Sequence, residues 1–78
     1  MTHGDILIVQ DMPLNVPGIS VWSVMTAGKS RDLLGTIRDN DIVMVIKRET
    51  GSTAVQVITK FGLSYVRLNM LDNFTSVI

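Results

Sequence analysis

The stretch Asp41-Ile42-Val43-Met44-Val45-Ile46 decides the fold of this 78-residue chain. It is rich in stiff β-branched residues, which favour a strand over a helix. Side chains alternate across a strand, so the residues at 42, 44 and 46 point to one face while Val43 and Val45 point to the other. A domain of this size has one interior. The second apolar face must therefore lie in a tight barrel corner, under a long loop or against another copy of the chain.

The composition extends this pattern to the whole chain. Val, Ile and Thr supply 25 of the 78 residues, which predicts an all-β class. Residues 33–37 allow two interpretations, because Ser30 could cap a helical turn, but Gly35 and the β-branched pair that follows it favour a strand. The predicted strands are residues 5–10, 18–26, 33–37, 41–49, 53–61 and 64–68.

The connections are predicted from turn-forming residues. Pro13 and Pro17 cannot donate to a strand ladder, so they belong to an irregular first loop or an edge. Asn40 tolerates a positive φ and marks a tight turn, and Thr50-Gly51-Ser52 is typical of a hairpin loop. Residues 69–74 are predicted to close the fold, with three apolar side chains as a plug: Met70, Leu71 and Phe74. The chain is expected to form one domain over 1–78, with 1–3 and 75–78 outside its ordered part.

Charge and cysteine content exclude several classes of protein. Seven basic and seven acidic residues cancel, so binding of nucleic acid by bulk charge is not expected. The chain has no cysteine, hence no disulfide and no Cys-based zinc site. A core this small gives only marginal stability without a disulfide, a metal or a partner subunit, and oligomerisation is the remaining candidate for this added stabilisation. The apolar runs are too short to span a membrane, which predicts a cytoplasmic protein with no membrane partner.

No catalytic, cofactor or metal signature stands out. Ala27-Gly28-Lys29-Ser30 ends like a phosphate-binding loop, but Ser23 stands where that loop requires its first glycine. His3 is the only histidine and has no partner at a suitable spacing. Asp39 and Asp41 are ordinary turn residues and do not form a calcium loop. The sequence therefore predicts a protein that is not an enzyme and has no cofactor.

Short motifs in a fixed order resemble the bacterial Src-homology-3-type barrels. They are Leu14-Asn15-Val16, Leu34-Gly35-Thr36-Ile37, Arg38-Asp39-Asn40-Asp41 and Gly62-Leu63-Ser64-Tyr65-Val66. The resemblance implies a small five-stranded barrel whose first strand extends to the Leu-Asn-Val motif. Ala54 and Met70 stand where ligand-binding members of that family carry aromatic residues. Recognition of a peptide or of cell wall through an aromatic groove is therefore not expected.

A second likeness involves Ile37-Arg38-Asp39-Asn40-Asp41-Ile42-Val43, which resembles the Ile-Arg-Gly-Asn-x-Ile-Val signature of Sm-like proteins. In this chain Asp39 replaces the glycine, and the signature stands far from the C-terminus. The resemblance implies a Sm-like barrel that assembles with copies of itself, with a ring as one arrangement. Short bacteriophage-encoded barrel proteins are similar in length.

Basic and aromatic residues near the strands suggest a binding face. Phosphate contacts and base stacking are what binding of RNA or single-stranded DNA on a small barrel requires. The alternative is that Trp22 and Phe61 belong to the core and the charges only solvate the surface. The leading hypothesis is a homo-oligomer that binds nucleic acid, and the second is a protein-protein interaction module of phage type. The predicted nucleic-acid-binding residues are Arg38, Lys47, Arg48, Lys60, Tyr65 and Arg67.

Overall fold

The computed structural model describes residues 3–23, 25–26, 29–30, 32–48 and 53–78. Most of these residues form strands, and one short helix lies near the C-terminus, so the predicted all-β class is confirmed. In chain order the elements are β1 (Ile6–Val9), β2 (Ile19–Trp22), β3 (Met25–Thr26), β4 (Lys29–Ser30), β5 (Leu33–Ile37), β6 (Ile42–Arg48), β7 (Ala54–Thr59), β8 (Gly62–Arg67), α1 (Leu68–Phe74) and β9 (Thr75–Val77).

Seven of the strands form one antiparallel sheet in the order β5-β2-β8-β7-β6-β1-β9, and β3 and β4 form a separate ribbon. The closed five-stranded barrel predicted from the sequence is not confirmed. The physical reason lies at β1, which pairs with β6 along one edge and with β9 along the other. Because β9 occupies that second edge, β1 cannot pair with β5. The sheet therefore stays open, with β5 and β9 at its ends.

The open sheet is nevertheless curled. β5 and β6 lie four places apart in the sheet, about 19 Å if the sheet were flat, yet residues 38–41 alone connect them. Such a connection spans at most about 17 Å. Asn40 adopts a φ of 76° in this turn, as predicted, and its amide donates to the Val9 carbonyl at 2.9 Å. The turn thus brings the end of β5 against β1.

The core fills the concave side of the curled sheet. β6 and β7 contribute four fully buried valines, at positions 43, 45, 55 and 57, and α1 adds Leu71 with no exposed surface. Met70 and Phe74 pack against the same cluster, which confirms the predicted plug as a helix rather than a turn. The buried apolar residues are Leu7, Val9, Met12, Ile19, Val21, Ile37, Val43, Val45, Val55, Val57, Val66 and Leu71.

Four local predictions differ from the structure. The single strand predicted for residues 18–26 is divided into β2, in the large sheet, and β3, in the separate ribbon. β1 ends at Val9, so the Leu-Asn-Val motif lies in the irregular loop, where Leu14 is 99% exposed. The single strand predicted for residues 53–61 ends at Thr59, because a two-residue turn and Gly62, with φ 87°, reverse the chain there. Thr75–Val77, predicted to lie outside the ordered fold, form β9. The predicted hairpin loop at residues 50–52 lies outside the described residues.

Candidate interaction face

A row of exposed apolar side chains crosses four neighbouring strands on the convex side of the sheet. The register pairs Ile6 with Met44, Met44 with Ile58, and Ile58 with Leu63. These four side chains are 42%, 38%, 42% and 58% exposed, respectively. We call them the outer row. Directly opposed residues have Cβ atoms about 4.5–5.5 Å apart, so the row is a continuous apolar surface.

The alternation of each strand explains why the outer row faces away from the core. Its members on β1, β6, β7 and β8 stand next to fully or almost fully buried neighbours in the sequence: Leu7, Val45, Val57 and Ser64. Ile8 and Ile42 form a second cross-strand pair on the same convex side. The sequence predicted that both faces of β6 are apolar, and the structure leaves this second face exposed at Ile42 and Met44.

Polar and aromatic side chains form a neighbouring row. The register places Lys47 opposite Gln56, Gln56 opposite Tyr65, and Tyr65 opposite Trp22. The Gln56 amide nitrogen donates to the Tyr65 hydroxyl at 3.2 Å, and Trp22 is half-buried. We call these four residues the aromatic row. On β7 and β8 it lies two residues from the outer row, which is about 7 Å along a strand.

Four of the six predicted nucleic-acid-binding residues gather at one end of the sheet. Lys47 and Tyr65 belong to the aromatic row, and Arg48 follows Lys47 at the end of β6. Arg67 lies two residues beyond Tyr65 on β8, opposite Ala54. Arg48 and Arg67 are exposed, and Tyr65 is half-buried. The structure therefore brings three cations and one aromatic ring to the same end of the sheet.

Arg38 lies at the opposite end of the sheet, where it holds the first loop. Its guanidinium donates to the Val16 carbonyl and, at 3.2 Å, to the Pro13 carbonyl. Its backbone amide donates to the Asp41 carboxylate at 2.9 Å. Hydrogen bonds from a charged group to two carbonyls of one loop favour a structural role for Arg38 over contact with phosphate.

Lys60 also lies at this opposite end. Its ammonium group is 3.3 Å from an Asp41 carboxylate oxygen and 5.6 Å from the centre of the Phe61 ring. The Phe61 ring in turn covers Gly35, where an added Cβ would lie 2.5 Å from the ring. Phe61 is 39% exposed, so it is not the core residue considered from the sequence. Lys60 and Arg38 are thus separated from the other four predicted residues by about the length of a strand.

Sequence reasoning left one feature of this face open and missed another. Trp22 was considered both as an aromatic residue of a binding face and as a core residue, and its half-buried position opposite Tyr65 places it in the aromatic row. The outer row was missed because each of its members belongs to a different strand. Alternation within one strand shows which residues share a face, but alignment between strands depends on the register. For β6 and β7 that register shifts at a bulge between Val45 and Lys47. The sequence pattern does not predict this bulge.

Other kinds of site have little support in the described ranges. No three His, Asp or Glu side chains in them are grouped as a metal site requires. A shallow pocket of about 330 Å³ lies between β8 and α1, with Arg67 and Asp72 in its lining. No helix in the described part of the chain is long and apolar enough to cross a membrane. The exposed rows of the sheet are therefore the main candidate surface.

Compared with protein-family models, with curated proteins and with solved structures, the chain has no match. The geometry of the convex side is therefore the basis for a functional proposal.

Proposed function

We propose that this chain is a non-enzymatic binding module that docks onto another polypeptide through the outer row. The observation that carries this proposal is the alignment of Ile6, Met44, Ile58 and Leu63 across four strands, each with 38–58% of its surface exposed. Single exposed apolar residues are ordinary on protein surfaces, but contiguous apolar patches mark interaction sites.

Covering the outer row contributes a substantial part of the free energy of a complex. Full burial of an Ile, Leu or Met side chain contributes about 1.5–3 kcal/mol, so covering the exposed part of one member of the outer row contributes about 1 kcal/mol. The pair of Ile8 and Ile42 extends the same surface. A partner with apolar side chains therefore gains most by lying across β1, β6, β7 and β8.

We further propose that the open sheet is a relative of the Src-homology-3-type or Sm-like barrels. Support comes from the long first loop at residues 10–18, the positive-φ turn at Asn40 and the helical plug α1. These are the features through which the sequence resembles those families. Both families use a small sheet as a binding scaffold, which agrees with a docking role.

A selection of random peptides on the folded protein tests the docking proposal. Peptides that bind the wild type should lose binding to Ile58→Lys, because the substitution places a charge in the centre of the outer row. The matched control is Leu14→Lys, since Leu14 is 99% exposed in the first loop. Binding that survives Ile58→Lys as well as it survives Leu14→Lys would contradict the proposal.

Binding of RNA or single-stranded DNA is a second candidate function, favoured by one observation. Tyr65 and Trp22 are cross-strand neighbours, with Lys47 and Arg67 nearby on adjacent positions. Stacking on aromatic rings beside basic groups is how single strands bind to small sheets. The neutral net charge counts against this candidate, because it provides no general attraction for phosphate.

Titration with oligo-U tests this second candidate, and the single tryptophan, Trp22, provides the fluorescence signal. Affinity should fall with salt, with a log–log slope of about −0.7 for each phosphate contact. Replacing Lys47 and Arg48 together by Ala should flatten that slope by about one unit, whereas Tyr65→Ala should cost about 1–3 kcal/mol at nearly constant slope. If no binding occurs at low salt, this candidate is wrong.

A further inference from the structure

We infer that the partner covering the outer row is a second copy of this chain, packed face to face with the first. This inference rests on the docking function proposed above and names its partner. It concerns the convex side of the sheet and does not involve strand pairing at the edges β5 and β9.

The outer row carries no charged side chain. On β1, β7 and β8 the described positions on this side next to the row hold Ile8, Gln56 and Tyr65, none of which is charged. Charged side chains near the row include Lys47, in the aromatic row, and Lys60, two residues after Ile58. The whole chain has a formal net charge of +0, so two copies have no net repulsion. Packing the row against its own copy therefore brings only uncharged side chains together at its centre.

The outer row is complementary to itself in arrangement. It has four members, two on each side of the line between β6 and β7. A two-fold axis parallel to the strands along that line places Met44 over Ile58 of the second copy and Ile6 over Leu63 of the second copy. In such an isologous interface every contact occurs twice. Two sheets packed this way lie about 10 Å apart, which apolar side chains of this size fill.

The area available fits a weak pair. Four strands of about six residues present a plane of roughly 19 by 20 Å. A standard interface buries about 800 Å² on each partner, which is about one sixth of the 4779 Å² of this chain. The plane of the outer row and its flanks, roughly 380 Å² on each copy, is about half of that and matches weak, transient complexes. The pair is therefore expected to form only towards high micromolar concentration.

The small size of the chain gives the second copy a physical role. A 78-residue domain with no cysteine has no disulfide to supplement its core. Burial of the outer row on a second copy supplies additional apolar contact, since a partner that binds only the folded state stabilises it.

Sedimentation equilibrium between about 5 and 500 µM tests the inference. The wild type should rise from 8.6 kDa to twice that mass, and Leu14→Lys should do the same. Ile58→Lys should stay at 8.6 kDa while its circular dichroism remains that of a folded β protein. If Ile58→Lys does not fold, Leu63→Lys, at the 58% exposed end of the row, takes its place.

Three outcomes would overturn the inference. The first is a wild-type mass that stays at 8.6 kDa throughout, and the second is a mass that rises beyond twice that value. The third is a pair that persists in both Ile58→Lys and Leu63→Lys. If the wild type is monomeric but the selected peptides still require Ile58, the second copy is not the partner, and the proposed docking function stands. If the wild type is monomeric and its peptides bind equally well to Ile58→Lys, both the second copy as partner and the docking function are wrong.

Discussion

Met44 and Ile58 are direct cross-strand partners on the convex side of the sheet, and both are more than one third exposed. The next pair along the same two strands, Val45 and Val57, is fully buried on the concave side. Two adjacent strands are therefore apolar on both sides, but only one side has a core to cover it. Alternate residues of the same strands thus have different roles: the inward ones stabilise the core, and the outward ones are available for docking.

This division predicts different costs for the same substitution on the two sides. Ile37→Ala should lower the free energy of unfolding by about 2–5 kcal/mol, because Ile37 has no exposed surface and its loss leaves a cavity. Ile58→Ala should cost about 1 kcal/mol or less at low micromolar concentration, since Ile58 is 42% exposed. Urea denaturation of the two variants measures both values. Equal costs would mean that the two sides have been assigned wrongly.

The turn at Asn40 should accept glycine and reject a β-branched residue. Asn40 has a φ of 76°, so Asn40→Gly should change stability by less than about 1 kcal/mol, whereas Asn40→Val should cost about 2 kcal/mol or more. Both variants keep the backbone amide that donates to the Val9 carbonyl. Thermal denaturation compares them directly. If both melt with the wild type, the turn does not have this conformation.

Gly18 and Gly62 should respond differently to alanine. An added Cβ at Gly18 would lie 2.4 Å from the Ile37 carbonyl oxygen, and its φ of 143° is also unfavourable. The backbone of Ile37 cannot easily move away, so Gly18→Ala should cost about 2–5 kcal/mol. Gly62→Ala is the control, because φ is 87° but no atom lies within 4 Å, and it should cost about 1–2 kcal/mol. Denaturant titration of the pair checks the order.

Substitution of Arg38 should affect stability rather than binding. Arg38→Ala removes the hydrogen bonds to the Val16 and Pro13 carbonyls and should lower the free energy of unfolding by about 1–3 kcal/mol. Hydrogen exchange should rise at the amides of residues 10–18. Arg67→Ala is the control, since Arg67 is exposed and its loss should change stability by less than about 0.5 kcal/mol. A stable Arg38→Ala protein with altered binding of oligo-U would favour the original phosphate role.

Local pattern was sufficient to predict the all-β class, the strand around Val43 and Val45, the turn at Asn40 and the plug at Leu71. Each of these depends on residues close together in the sequence, such as alternating valines or a residue that tolerates positive φ. The open sheet was not predicted. Whether β1 pairs with β5 or with β9 is decided between strands far apart in the chain, and three residues at Thr75–Val77 gave too short a pattern to indicate a strand.

The candidate site was predictable only in part for the same reason. The two-sided apolar character of β6 follows from the sequence alone. The outer row does not, because Ile6, Met44, Ile58 and Leu63 meet only through three separate registers. All six predicted binding residues were assigned to one face. The antiparallel pairing of β6 and β7 places Lys60 at the end away from Lys47 and Arg48, which the sequence already predicts, and the turn at 38–41 places Arg38 at that same end.

The most direct test of the docking role of the outer row is methyl NMR with a soluble paramagnetic agent, recorded over a range of protein concentrations. We expect relaxation of the Ile6, Met44, Ile58 and Leu63 methyl groups by the agent to weaken as the concentration rises, because a second copy covers them. The methyl groups of Leu14, 99% exposed in the first loop, should remain equally accessible throughout. The docking role is contradicted if the accessibility of the outer row stays the same at every protein concentration and also stays the same when selected peptides are added.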